Sequence, residues 1–358
     1  MNETKTVELE KELEQREKKL GIFEKYLPLW VIVCIILGIL LSQLLPGVSS
    51  FIDSLKIGDI SIPIGICLFL MMYPAMLNFQ VSELKKLGRD PKPIILTLVS
   101  NWLIAPFIGL LMANIFLVDQ QLIVAIILLS SSPCTAMVLV WGWMARGNQE
   151  QNVITTSLNT VTIMIGYVPM VSLLTGIQNI PVNQLLLLIS LIFFIGLPLL
   201  LGVLSKRFII SKKGEDYFEH SYRPFVGKVS IIALLSTLVI LFSLNGDVLL
   251  KNPDLMLIVS VPLLLGFAIV VGFNIIITRL TKLKYKEAII TVIIGSSSHF
   301  EIAIATAITM YGVGSIAALG TTMGLFWEVP VMLSLVYLGR YLGKHNFWND
   351  RKNQKKTK

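Results

Sequence analysis

Charged residues are scarce in this sequence: only 15% of its 358 residues are Asp, Glu, Lys or Arg, whereas 54% are hydrophobic. With a mean hydropathy of +0.77, this balance excludes an ordinary soluble domain. Cysteine is also rare. Cys34, Cys67 and Cys134 all lie inside apolar runs, so we expect free thiols and no disulfide framework.

Several signatures of catalysis are missing. The chain has no Walker loop, so ATP does not drive it directly, and it has no His-Glu-x-x-His or Gly-x-Ser-x-Gly motif. Its three histidines are too few for a histidine metal cage. We therefore expect no enzyme activity, no metal and no cofactor.

Long apolar runs dominate what remains, and each is long enough to cross a bilayer as a helix. They predict an all-α polytopic membrane protein with ten transmembrane helices. The predicted spans are Leu27–Leu45, Ile60–Leu77, Pro93–Phe116, Leu122–Trp143, Val153–Leu174, Leu185–Leu204, Val229–Leu244, Leu255–Ile277, Ala288–Met310 and Ala318–Leu338.

Basic residues lie on one side of these spans. Of the 30 Lys and Arg residues, 28 lie in alternate segments that include both termini. The positive-inside rule places these segments in the cytoplasm, so we expect a multi-pass protein of the plasma (cell inner) membrane. Topology and contact with anionic lipid explain the net charge of +8, and nucleic-acid binding is not expected.

The predicted organisation has one membrane domain. Residues 1–26 form a cytoplasmic N-terminal helix or tail, 27–204 carry spans 1 to 6, and 205–228 form a cytoplasmic loop. Residues 229–339 carry spans 7 to 10, and 340–358 form a cytoplasmic tail.

Two polar interruptions fall in the middle of apolar runs. Ser130–Ser132 in span 4 and Ser296–Ser298 in span 9 lie 166 residues apart, and a pair of isoleucines shortly precedes each. These are the fourth spans of two five-span halves, and an odd number of spans inverts the second half. The pattern predicts two inverted five-helix repeats with broken helices in spans 4 and 9 that face one cavity, and alternation by one half moving against the other.

Span 4 carries a thiol beside its interruption. Pro133 removes a backbone donor, so the helix is expected to break beside Ser131 and Ser132. Cys134 is then expected near the N-terminus of the second half-helix, where the helix dipole favours a thiolate. Asn159 in span 5 is a further candidate for lining the site.

Spans 9 and 10 carry acids at bilayer depth. Glu301 predicts a proton site, a cation site or part of a substrate pocket, because a buried carboxylate needs a partner, a cavity or a proton. His299, two residues away, is either a structural histidine or a participant in proton exchange. Glu328 in span 10 has two open interpretations, a structural role and a role in ion binding.

The run Pro133–Trp141 resembles the signature of the arsenical-resistance arsenite permeases, ten-span carriers in the superfamily of bile acid/sodium symporters. Phe300–Ala305 and Glu328–Val331 are also similar to that family. One departure is His299, because the family often has Asn just before its Phe-Glu pair.

The resemblance implies a secondary transporter that exports arsenite, with antimonite as a second cargo, through reversible binding to Cys134. Ser131, Ser132, Pro133 and Asn159 would complete the binding site. From the residues themselves we expect Glu301, with His299 and Glu328, to carry the proton in a proton antiport, and Ser296, Ser297 and Ser298 to form the second helix break. Oligomeric state and an ATPase partner are undecided.

Three alternatives stay open at this point. The first is a sodium-coupled uptake carrier for an organic anion of the bile-acid type, on the same fold. The second is a membrane-embedded sensor or enzyme that acts through Cys134. The third is a passive channel.

Overall fold

Helices make up almost all of the described part of the chain. The computed structural model describes residues 27–45, 47, 51, 54–57, 60–77, 79, 90–135, 137–246, 250 and 254–348. The predicted N-terminal segment 1–26 and the end of the predicted C-terminal tail, 349–358, lie outside the described residues.

We number the helices of the described residues α1 to α12. They are α1 Leu27–Leu44, α2 Ile62–Leu77, α3 Pro91–Phe116, α4 Gln120–Ser130, α5 Val138–Met144, α6 Gln149–Ile177, α7 Gln184–Leu191 continuing as Leu197–Tyr217, α8 Arg223–Leu244, α9 Asp254–Leu280, α10 Tyr285–Ser296, α11 Phe300–Tyr311 and α12 Ile316–Lys344. Two short antiparallel strands, β1 Lys56–Ile57 and β2 Ile60–Ser61, precede α2.

Five continuous helical stretches are long and apolar enough to cross a membrane within the described residues. They are Pro91–Phe116, Gln149–Ile177, Gln184–Leu244, Asp254–Leu280 and Ile316–Lys344. Shorter apolar helices accompany them at Ile32–Leu44, Ile62–Leu77, Gln120–Ser130 and Phe300–Tyr311. Because a lipid-exposed backbone must satisfy its own hydrogen bonds, this all-helical arrangement is that of a multi-pass membrane protein.

The segment predicted as a loop, 205–228, is helical for almost its whole length. Helix α7 continues to Tyr217, a π turn follows at Phe218–Tyr222, and α8 begins at Arg223. The regular helix is interrupted at Gly214, whose φ of 84° is accessible to glycine without steric cost. Phe218 is buried against Leu77 and Val226, and this packing keeps the basic segment helical.

The helices pack as two groups. In the first group α8 packs against α1 and α2, and α7 packs against α2. In the second group α9 packs against α3, α10 and α12, while α4 packs against α3 and α12. The expected division into two five-span halves that move against each other does not match this packing, because each group takes helices from both halves of the chain.

One contact between the groups runs through α11. The first part of α7, Gln184–Leu191, packs against α11, and the hydroxyls of Ser190 and Thr306 lie 3.1 Å apart there. Helix α11 is buried along nearly its whole length. Because α11 also packs against α12, it belongs to the second group and forms its contact with α7 of the first group.

Candidate transport site

Both polar interruptions break their helices. Helix α4 ends at Ser130 and α5 begins at Val138, whereas α10 ends at Ser296 and α11 begins at Phe300. Pro133 explains the first break, because it lacks a donor and disfavours helical backbone in the residue before it. The second break contains no proline, so its cause must lie in its contacts.

The two broken segments cross and pair with each other. Pro133 and Ser298 form an antiparallel bridge, and the His299 N–H donates to the Ser132 carbonyl over 2.7 Å. The Ser132 hydroxyl donates to the His299 carbonyl at 3.3 Å. We call this pairing of Ser132–Pro133 with Ser298–His299 the crossing. It satisfies backbone groups that the breaks release inside the protein.

Glu328 holds the second segment from the side. Its carboxylate accepts hydrogen bonds from the Ser297 hydroxyl at 2.5 Å and the Ser298 backbone N–H at 3.1 Å, and from the Ser298 hydroxyl as well. The C-cap residue Ser297 has an extended backbone, with φ −99° and ψ 142°. Contacts with α12 and with the crossing therefore stabilise the break that the sequence alone does not explain.

Asn159 occupies the corresponding place beside the first segment. Its side-chain amide donates to the Cys134 carbonyl at 3.1 Å and its oxygen accepts from Asn101 at 3.3 Å. Asn101 belongs to a π turn in α3, Ser100–Ile104, and such turns are frequent at functional sites. The sequence predicts Asn159 as a residue that lines the site, and Asn101 is its partner on α3.

Cys134 lies on the first segment, four residues before α5 begins. Helix α5 begins at Val138, with Met137 at its N-cap. Cys134 therefore precedes the cap by three residues, because the chain becomes helical only after the crossing. The Cys134 side chain is 2% exposed.

A buried polar chain links the two segments on the Glu301 side. His299 is fully buried, its Nε2 lies 2.7 Å from the Thr135 hydroxyl, and its Nδ1 lies 3.5 Å from Glu301 Oε2. Neither His299 Nδ1 nor Glu301 Oε2 has a hydrogen-bond partner among the described residues. These two atoms face each other with room for one shared proton. Thr135 was missed from the sequence, although it directly follows the singled-out thiol.

Ser131 differs from its neighbours. Its hydroxyl is buried and has no hydrogen-bond partner in the described part of the chain, whereas most buried hydroxyls are paired.

Ser296 accepts a hydrogen bond from Asn274 at 3.1 Å, and Asn274 also donates to Ser100 at 2.7 Å. Ser100 donates to the Gly295 carbonyl at 2.7 Å, so α3 and α9 brace the end of α10.

An open cavity of about 550 Å³ lies against one face of the crossing. Its walls come from α3, α4 and α9, and its floor is made by Ser132, Pro133, Ser296, Ser297 and Ser298. Residues of both interruptions therefore line this cavity, whereas Cys134 and Glu301 do not.

Comparison with known proteins identifies the family of this chain. Residues 65–252 match the Sodium Bile acid symporter family, which is more than half of the chain. The chain belongs to this family. Membership makes it a transporter, as the helices and the absent enzyme motifs predicted.

Three relatives are similar to this chain over most of their length. An uncharacterized transporter, slr0944, of Synechocystis is 37% identical over 94% of this chain and 93% of its own. The arsenical-resistance protein Acr3 of Alkaliphilus metalliredigens is 37% identical over 89% and 92%. The protein of the same name in Corynebacterium glutamicum is 30% identical over 93% and 92%. The predicted resemblance to the arsenical-resistance permeases is confirmed.

Proposed function

We propose that this chain is a secondary active transporter that exports trivalent arsenic, as arsenite, from the cytosol. The observation that carries the proposal is the position of Cys134 directly beside the crossing of two broken helices. Discontinuous helices near the middle of the membrane are where transporters bind cargo. Similarity to two arsenical-resistance proteins supports the choice of arsenic, with antimonite as a chemically related second cargo.

The thiol chemistry is balanced without another reactant. The Cys134 sulfur forms a bond to the arsenic of arsenous acid, an As–O bond breaks, and the displaced hydroxide leaves as water with the thiol proton. One thiol gives a weaker bond than the three-thiol sites that soft metalloids favour. Reversible binding suits a carrier, which must also release its cargo.

Access to the thiol requires movement, because Cys134 is 2% exposed in this conformation. We propose that the group containing α3 to α6 and α9 to α12 moves against the group containing α1, α2, α7 and α8. The close contact of α7 with α11 would then be remade during each cycle. Ser131, Ser132, Pro133 and Asn159 would move with the thiol and complete its pocket.

We propose proton antiport as the source of energy, with Glu301 as the group that carries the proton. Its unpaired Oε2 atom faces the unpaired Nδ1 atom of His299 over 3.5 Å, so a proton arriving there completes the contact. Protonation from the outside would accompany release of cargo, and deprotonation towards the cytosol would permit reloading. Glu328 is less suited to this exchange because serine donors already engage both of its oxygens.

The proposed topology has ten spans in two inverted repeats, in the plasma (cell inner) membrane, with both termini cytoplasmic. Spans 4 and 9 correspond to the broken pairs α4–α5 and α10–α11. The repeat is supported by a matching detail. In each half, a polar side chain from the following long helix holds the broken segment, Asn159 in one case and Glu328 in the other.

Sodium-coupled uptake of an organic anion is the second candidate, and the description of the family itself favours it. It needs oxygen ligands for a cation but no thiol. Purified protein in proteoliposomes separates the candidates by the flux of radiolabelled arsenite and of a bile acid, each with a pH gradient or a sodium gradient. Arsenite flux driven by pH, lost in Cys134→Ser, supports export; bile-acid flux driven by sodium overturns it. Transport that never runs uphill would indicate a channel instead.

A further inference from the structure

We propose that the cavity beside the crossing binds the acyl chain of a membrane phospholipid. The cavity is separate from Cys134 and Glu301, and residues of α1, α2, α7 and α8 are absent from its described lining. Although Ser132 and Pro133 form part of its floor, the described lining lacks the thiol that would bind arsenic, so we assign the cavity a different occupant.

Gly266 and Phe267 on α9 and Ile108 on α3 are partly exposed lining residues, and we call this part of the lining the mouth. Its depth identifies the solvent that fills the cavity. At 1.5 Å per residue, Gly266 lies about 18 Å from the start of α9 and about 21 Å from its end. The hydrocarbon core of a bilayer is about 30 Å thick, so the mouth opens near its middle, where neither water nor headgroups are present.

The surface around the mouth has the same character. Large apolar side chains next to the lining residues are exposed on both wall helices: Leu103, Phe107 and Leu111 on α3, and Val261, Leu265 and Ile269 on α9. In a membrane these side chains contact lipid. The cavity continues this surface inward as far as the crossing.

The polar residues of the floor are compatible with an apolar occupant. The Ser132 hydroxyl donates to the Leu129 carbonyl at 2.9 Å, and the Ser297 hydroxyl donates to Glu328. Ser298 also donates to Glu328. Because the hydroxyl hydrogens of Ser132, Ser297 and Ser298 are already used within the protein, a hydrocarbon chain does not leave these donors unpaired. The described lining contains no charged side chain.

An acyl chain in this cavity would touch Pro133 and Ser298, the two residues that pair across the crossing. Its packing would support the crossing from the side of α3 and α9. Binding itself does not depend on the proposed function, so the two ideas can fail separately.

The test uses the full chain reconstituted with phosphatidylcholine that carries a photoactivatable diazirine near the end of one acyl chain. Mass spectrometry then locates the labelled residues. We expect labelling of Ile108 and Phe267 at least severalfold above that obtained with a headgroup-linked diazirine. Equal labelling by both probes, or labelling confined to exposed residues such as Leu103, overturns the proposal.

Two glycines of α9 offer matched variants. A Cβ at Gly266 would meet only Met112 Cγ, at 3.8 Å, and a Cβ at Gly272 would meet nothing within 4 Å. Gly266→Leu fills the cavity and should reduce labelling of Ile108 at least fivefold, whereas Gly272→Leu should leave it unchanged. Unchanged labelling in Gly266→Leu overturns the proposal. If Gly266→Leu does not fold, Ile108→Phe provides a second filling variant, read at Phe267.

Other occupants give other results. Competition of the label by free fatty acid but not by unlabelled phospholipid would assign the cavity to a free amphiphile and overturn the phospholipid assignment. That result contradicts the proposal.

Discussion

The Glu328 carboxylate on α12 accepts a 2.5 Å hydrogen bond from the hydroxyl of Ser297, in the break of the second discontinuous helix. Ser298 adds a backbone and a side-chain donor to the same carboxylate. This contact gives Glu328 a positioning role, since the break contains no proline to stop the helix.

Glu328→Gln should therefore destabilise the protein and leave its proton coupling intact. The amide replaces one acceptor oxygen with an NH₂ group, which cannot accept the hydrogen bond of a serine hydroxyl. We expect this loss to lower the free energy of unfolding by about 1–3 kcal/mol. Thermal unfolding in detergent measures the loss, and Glu150→Gln, at an exposed position of α6, is the control. An unchanged melting temperature with altered dependence on the pH gradient would reassign Glu328 to proton transfer.

Cys134→Ala should abolish arsenite export, because no other group on the crossing forms a bond to arsenic. Cys34→Ala is the matched control: Cys34 is also buried, at 5% exposure, but lies in α1. It should retain most of the transport rate. The measurement is arsenite uptake into everted vesicles at equal protein amounts, because export from the cytosol appears there as uptake. Uptake by Cys134→Ala at the rate of the unmodified protein would refute the thiol role.

Ser131 and Ser132 allow binding to be separated from folding. Ser131→Ala removes a buried hydroxyl without a partner, so the free energy of unfolding should change by less than about 0.5 kcal/mol or should increase. Ser132→Ala loses hydrogen bonds to Leu129 and His299 and should destabilise by about 1 kcal/mol or more. A lower affinity for arsenite in a fully stable Ser131→Ala protein would place that hydroxyl on the cargo. Unchanged affinity would remove Ser131 from the proposed site.

Glu301→Gln should uncouple transport from the pH gradient, because the amide cannot exchange a proton. Arsenite counterflow without a gradient should continue, since the amide occupies nearly the same volume. His299→Asn tests the neighbouring group: it removes the ring atom that faces Glu301 Oε2 and should change the pH profile while Cys134 still binds arsenite. Flux in proteoliposomes at a series of imposed gradients measures both. Full gradient dependence in Glu301→Gln would exclude it as the proton carrier.

The class of the protein and the position of its helix breaks were predictable from local properties. Apolar runs predict membrane helices because an unpaired backbone is costly in lipid, and Pro133 predicts a break because it cannot donate. The serines at 130–132 and 296–298 marked both interruptions, although only the first has a local cause. The similarity of Pro133–Trp141 to arsenite permeases gave the family, which the comparisons confirm.

The partners of the breaks depend on residues distant in the chain. Pro133 meets Ser298, Asn159 meets Cys134, and Glu328 meets Ser297 only because helices from both halves pack into one group. No pattern along the sequence predicts these contacts between distant residues. For the same reason, the sequence could not show that Cys134 and Glu301 lie away from the cavity that the serines line. The sequence by itself determined a membrane transporter with two weak points in its helices; the tertiary structure decided that these points cross, because each broken backbone finds its missing hydrogen bonds on the other.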